Sequence, residues 1–89
     1  MGEYFQNFTN YYLVFESDEG YVPLHLRGIV YIVGYHFTSR IIQPDGSVWY
    51  HDGQKGHLCE KEGYLKSIGD KNLRTRGMEK LVLAVYAQA

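Results

Sequence analysis

Apolar and polar positions along the chain follow the two-residue period of strands more often than the 3.6-residue period of helices. Tyr11 to Glu16 is aromatic and β-branched and reads as a strand, closed by the turn cluster Ser17-Asp18-Glu19-Gly20. Val22 to Val33 is the strongest strand candidate. Its second half, Ile29 to Val33, is continuously apolar, the pattern of a strand covered on both faces. Gly34 interrupts it. From Tyr35 to Gln43 the alternation returns: Tyr35, Phe37, Ser39 and Ile41 share one face, and His36, Thr38, Arg40 and Ile42 share the other. Ser47 to Asp52 is a further strand, and Leu81 to Ala87 reads as a buried final strand. Residues 1–10 show no clear period and predict a loose arm or a short helix. Gly53 to Gly63 predicts a loop or a short irregular strand. Tyr64 to Leu73 predicts one helical turn, with Ser67 or Asp70 as N-cap. The expectation is one domain over 1–89, mainly β or α+β, with a twisted antiparallel sheet of about five strands.

The turn at Pro44-Asp45-Gly46 sets the register of the hairpin around it. Pro44 presets φ for a type I turn, Asp45 suits the second position, and Gly46 supplies the left-handed residue that follows. This is a three-residue loop closing with Gln43 opposite Ser47. Counting back pairs Ile42 with Val48, Ile41 with Trp49, Arg40 with Tyr50, Ser39 with His51 and Thr38 with Asp52. Asp52 then shares a face with His36, as a diagonal neighbour within side-chain reach. A two-residue loop would slip the register by one and separate them. A carboxylate beside an imidazole fixes its tautomer and stabilises its protonated form, and the other ring nitrogen can take a proton from a thiol or hydroxyl. The plainer reading is a sheet histidine and a hairpin-end aspartate.

Charge and cysteine content narrow the classes. The chain has 89 residues and a formal charge of −1, which argues against binding nucleic acid through phosphate contacts. Residues 1–26 carry four acids and no base, and residues 54–89 carry seven bases and four acids. The plain reading sets an acidic N-terminal end beside a basic C-terminal end. The sharper one is a basic docking face around Lys66, Lys71, Arg74 and Arg76. A single cysteine, Cys59, excludes a disulfide framework and a four-cysteine zinc site. Cys59 reads as a buried or incidental thiol before it reads as a nucleophile. His36, His51, Asp52 and His57 lack a standard metal-ligand spacing, so neither metal nor cofactor is expected. The N-terminus lacks a signal-peptide pattern and no apolar run is long enough to span a bilayer, so the expectation is a cytoplasmic or nuclear protein without a membrane partner.

The run Leu26-Arg27-Gly28-Ile29-Val30-Tyr31, then His36-Phe37-Thr38-Ser39-Arg40, then Asp45 to Asp52, resembles the C-terminal half of ubiquitin-specific proteases, which are papain-like cysteine proteases. Similar segments occur in transposon-associated fungal proteins. The resemblance covers roughly residues 21–52 and 80–87 and implies the β half of a papain-like fold. It gives His36 the catalytic histidine role, Asp52 the acidic role, and Trp49 and Tyr50 the aromatic pair beside the acid. Leu81 to Tyr86 would be the closing strand. The chain departs from the family at three points. No Cys precedes His36, Tyr35 stands where the family has Gly, and the segment from Trp49 to Asp52 is one residue shorter. Binding positions on this reading are Tyr35, Trp49, Tyr50 and Arg40, the last expected to be exposed on the sheet.

Three functions follow as expectations. The first is a non-catalytic protein-interaction module with a ubiquitin-like protein as partner. The second is a cysteine hydrolase using His36 and Asp52 with Cys59 or a Cys from another chain. The third is a self-associating domain, a homodimer in which a second copy covers exposed sheet.

Overall fold

The computed structural model describes residues 3–6, 12–56 and 58–88. They form eight strands: β1 (Glu3–Gln6), β2 (Tyr12–Ser17), β3 (Gly20–Val33), β4 (His36–Ile42), β5 (Ser47–Asp52), β6 (Cys59–Tyr64), β7 (Thr75–Arg76) and β8 (Glu79–Gln88). One helix, α1 (Leu65–Leu73), and a single 3₁₀ turn at Gly53–Lys55 complete the described chain. Every pairing is antiparallel, in the order β1-β8-β3-β4-β5-β6, with β2 on β3 and β7 on β8. The chain is therefore a mainly β protein built on one curled sheet. The strands beyond the five read from sequence are β1, β6 and β7. β1 lies where a loose arm or helix was expected. β6 is the other edge of the sheet path, and its charged sequence hides the period.

The inner face of the sheet carries the core. Leu24, Leu26, Ile29 and Tyr31 of β3, Ile42 of β4, Val48 of β5 and Ala84 and Tyr86 of β8 are buried there together with Leu73 of α1. Two register shifts in the β3–β8 pair, between Leu26 and Gly28 and between Val30 and Tyr31, break the strict alternation. The first, an extra residue at Arg27 of β3, places Leu26 and Ile29 on the same face although three positions separate them. The run Ile29 to Val33 is not covered on both faces. Ile29 and Tyr31 are fully buried, Val30 and Ile32 are half-buried and Val33 is exposed.

α1 lies over one end of the inner face, with Leu65 and Ile68 against the core. Ser67 lies inside the helix and does not cap it, and the Asp70 side chain lies outside the described residues. Tyr64 stands at the N-cap without a side-chain bond, and the Leu65 N–H donates to the Gly46 carbonyl at 2.9 Å. The helix breaks at Gly69 (φ 80°, ψ 162°). Its terminal carbonyls are met from the sheet: the Tyr31 hydroxyl donates to Leu73 O at 2.5 Å, and Arg40 Nη1 donates to Asn72 O at 2.7 Å.

Candidate functional site

The β4–β5 hairpin has the register its turn residues predict. Gln43 N–H donates to Ser47 O and Gly46 N–H to Gln43 O, both at 2.9 Å, and Gly46 takes φ +88°. The Asp45 carboxylate accepts the Ser47 N–H at 2.8 Å, and hydrogen bonding from the Ser47 side chain, followed by that from its N–H, holds the Asp45 pKa below the usual carboxylate range. Thr38 then lies opposite Asp52, and Arg40 opposite Tyr50.

His36 Nε2 lies 2.7 Å from Asp52 Oδ1 on the inner face. Asp52 is buried and its Oδ1 also accepts the Gln54 N–H at 3.0 Å, as the cap of the 3₁₀ turn. An ionised carboxylate only accepts, so Nε2 carries the proton toward Asp52, and in the neutral ring Nδ1 is the acceptor nitrogen. The His36 side chain is 27% exposed and lines an open depression of about 430 Å³ with Val33, Thr38, Tyr50, Arg76 and Glu79. A second, smaller cavity of about 160 Å³ shares Tyr50, Asp52 and Arg76 and is also lined by Leu58 and Glu60.

Under the dyad runs a chain of ion pairs. Arg40 Nε contacts Glu62 Oε1 at 2.6 Å, Arg76 Nε contacts Glu62 Oε2 at 2.8 Å, and Arg76 Nη1 reaches Glu79 Oε2 at 3.3 Å. Thr38 Oγ1 donates to Glu79 Oε1, and the Tyr50 hydroxyl donates to the same oxygen at 3.0 Å. The Arg76 guanidinium stacks on the Tyr50 ring, 3.3 Å from its centroid. Burial alone would raise the Glu79 pKa, but the bonds from Thr38, Tyr50 and Arg76 together hold it below the ordinary value. Burial, reinforced by Glu79, pushes the Tyr50 phenol up.

Arg40 corrects the expectation of an exposed sheet residue. It is buried, bonded to Glu62, Asn72 and the Tyr31 hydroxyl, and ties β4 to α1. Tyr50 is also buried on the inner face, whereas Trp49 lies half-buried on the outer face, so the aromatic pair divides between the two sides. Tyr35 is fully exposed in the β3–β4 turn. Cys59 is exposed, not buried, and stands opposite His51, one position from Asp52 and hence on the other face of the sheet from the dyad. His51 is separated from His36 in the same way, and His57 lies outside the described residues. Among the described residues no group of three or more His, Cys, Asp or Glu side chains gathers to hold a metal ion. Arg76 is drawn into its carboxylate pairs and does not belong to an open basic face with Lys66 and Lys71.

Glu62, Arg76 and Glu79 were not singled out as inner-face partners from sequence. Thr38 was placed by alternation on the His36 face, but its acceptor Glu79 precedes the segment that reads as the last strand. No helix of the described residues is long and apolar enough to cross a membrane. No family model matches the chain, and neither a curated protein nor a solved structure shows significant similarity to it.

Proposed function

We propose that the chain is a non-catalytic protein-interaction module, similar in plan to the His/Asp-bearing half of a ubiquitin-specific protease, that docks a ubiquitin-like protein at the His36–Asp52 end of its sheet. One observation carries this reading. Three separate connections bring large apolar side chains to that end: Tyr35 (103% exposed), Leu58 (83%) and Met78 (86%). Met78 lines the open depression with His36, Asp52, Thr38, Tyr50, Arg76 and Glu79, Leu58 lines the adjoining cavity, and Tyr35 stands in the turn just before His36. Aromatic residues and Met are the side chains enriched at protein interfaces relative to the rest of a surface. The hydroxyls of Thr38 and Tyr50 give their protons to Glu79, and Cys59 lies on the opposite face, so the depression offers His36 no nucleophile of its own.

Titration of the ¹⁵N-labelled chain with ubiquitin tests this reading. Amide shifts are expected at Tyr35, His36, Thr38 and Met78, and Tyr35→Ala with Met78→Ala should remove them. The absence of shifts at about 1 mM ubiquitin rejects that partner, since even a weak complex of about 1 mM affinity is half-formed there.

The open Nδ1 favours a second reading, in which another chain supplies the thiol of a cysteine hydrolase. A ubiquitin C-terminal amide reporter should show no turnover with this chain alone. Turnover by the isolated chain that His36→Ala abolishes would replace the first reading with an enzyme.

A further inference from the structure

We infer that the free edge of β2 is a strand-addition site that takes an extended, lysine- or arginine-bearing segment of another protein. β2 pairs with β3 alone, off the main path of the sheet. β8 also pairs with β3 at Leu24 and His25, the residues opposite Leu13 and Tyr12. β2 and β8 therefore flank β3 on opposite sides, and among the described residues no strand lies on the far side of β2.

Pro23 fixes which backbone groups of β2 face that open side. Val14 lies opposite Pro23. Proline has no N–H, so the two cannot form the kind of antiparallel pair that exchanges two hydrogen bonds. The turn gives the same phase. Ser17 closes the two-residue loop Asp18-Glu19 opposite Gly20, the place of the i to i+3 bond of a β-turn. Alternation then directs the N–H and C=O groups of Ser17, Phe15 and Leu13 to β3, and those of Glu16 and Val14 outward. Val14 is 54% exposed. A row of outward N–H and C=O groups is a template for a further strand. The other edges are guarded. β1 is four residues long, and β6 carries an exposed Lys61 and a register shift between Val48 and Trp49. On the opposite edge of the β2–β3 hairpin, Pro23 offers no donor. β2 holds no Pro, no Lys and no register shift.

Charge names the occupant. Glu16, Asp18 and Glu19 are exposed on β2 and its turn, and no Lys or Arg precedes Arg27. A second copy would bring three more acids and no base to this edge, which opposes self-pairing. A segment with Lys or Arg beside Glu16 and an apolar or β-branched residue against Val14 complements it. Tyr21, 74% exposed and opposite Glu16, shares the face of Glu16 and Val14 and widens the apolar surface there. The edge is remote from the dyad: Pro23 and Val33 stand at opposite ends of the paired part of β3, about 33 Å apart along the strand.

Amide shifts and hydrogen exchange of the ¹⁵N-labelled chain test this. The probe is a capped synthetic peptide that alternates Val and Thr and carries Lys at both ends, added to about 2 mM so that millimolar binding registers. Slowed exchange is expected at the Val14 and Glu16 amides, with shifts along β2. The same peptide ending in Glu should bind at least about fivefold more weakly. Val14→Pro removes an outward N–H that the β2–β3 ladder does not use, and should abolish the protection at Glu16. If that variant does not fold, Glu16→Lys should remove the preference for the Lys peptide. Tyr35→Ala with Met78→Ala, at the docking end, should bind the Lys peptide as wild type, which separates this edge from the partner site. No protection at about 2 mM peptide, equal binding of the two peptides, or a preference kept in Glu16→Lys overturns the inference. So does protection that grows with protein concentration in the absence of peptide, which would put a second copy on the edge.

Discussion

Arg40 and Glu62 provide the sharpest test of how the inner face is held. The Arg40 side chain is 7% exposed and Glu62 19%, and Glu62 bridges Arg40 and Arg76 through its two oxygens. Removing one partner of a buried pair strands the other, at about 3–5 kcal/mol. In Arg40→Met the carboxylate keeps Arg76, so the cost falls at the lower end, about 3 kcal/mol. Glu62→Gln leaves the buried Arg40 without a carboxylate while Arg76 keeps Glu79, and should cost about 3–4 kcal/mol. Removing both Arg40 and Glu62 (R40M/E62L) leaves Arg76 with Glu79 and no orphaned charge at Arg40. That double variant should cost about 1–2 kcal/mol, well below the sum of the singles. A domain of this size is worth about 4–13 kcal/mol in total, so each single change is a large fraction of it. Urea unfolding followed by circular dichroism reads this directly: at roughly 1–1.5 kcal/mol per molar, 3 kcal/mol moves the midpoint by about 2–3 M. Should a single variant not fold, Arg40→Lys retains the charge without the fork and gives an intermediate loss. Additivity of the two changes within about 0.5 kcal/mol would refute the buried bridge.

Acid should loosen the same floor. Glu79 has its folded pKa lowered, so its contribution is complete above the unfolded carboxylate value and is lost as pH falls through the depressed folded value. Stability measured between pH 7 and pH 2 should fall at the acid end, and Glu79→Gln should flatten that fall; an unchanged slope would contradict the assignment. Cys59 should react with iodoacetamide at the same rate in wild type and His36→Ala, because the two lie on opposite faces. A slower rate in the variant would mean that they communicate. Gly46→Ala, at φ +88°, should lower stability by about 1 kcal/mol or more, read as a shift in thermal midpoint. Replacing Pro44-Asp45-Gly46 by Asn-Gly should slip the register, and loss of the nuclear Overhauser contacts between His36 and Asp52 would report it.

The His36–Asp52 pair was legible because its determinants are local. A proline, an aspartate and a glycine choose the loop length, and strict alternation on two short strands does the rest. The ion-pair floor was not legible, because Glu62, Arg76 and Glu79 come from β6, β7 and β8. Two of those strands are short or charged, and no turn ties any of them to β4. Arg40 illustrates the limit. Alternation puts it on the inner face beside Thr38 and Ile42, yet a lone arginine gives no sign of a carboxylate 22 positions downstream that makes burial acceptable. The long strands failed differently. The bulge before Gly28 shifts the inward set of β3 midway, and Ile29 to Val33 reads as continuous because its outward residues Val30 and Ile32 are apolar as well.

The same bulges explain how so small a sheet presents two different surfaces. With strict alternation, a strand as apolar as β3 would bury one set of side chains and offer the other uniformly along its length. The shift at Leu26–Gly28 instead concentrates Leu24, Leu26, Ile29 and Tyr31 inward, where α1 closes over them. The shift at Val30–Tyr31 turns Val82 and Leu83 outward together. Beyond the reach of α1 the inner face turns from apolar to polar. Tyr31 stands at that boundary, its ring in the core and its hydroxyl between Arg40 and Leu73 O. Burial, the largest cause, raises its phenol pKa, so it remains a donor to the helix across the neutral range. Tyr31→Phe is therefore predicted to keep the core volume but leave the Leu73 carbonyl without this donor, at about 1–2 kcal/mol. Hydrogen exchange should then rise in α1 and at the Arg40 amide, and the outer-face strands should keep their protection. Uniform acceleration across the sheet would mean that the two surfaces are not separable.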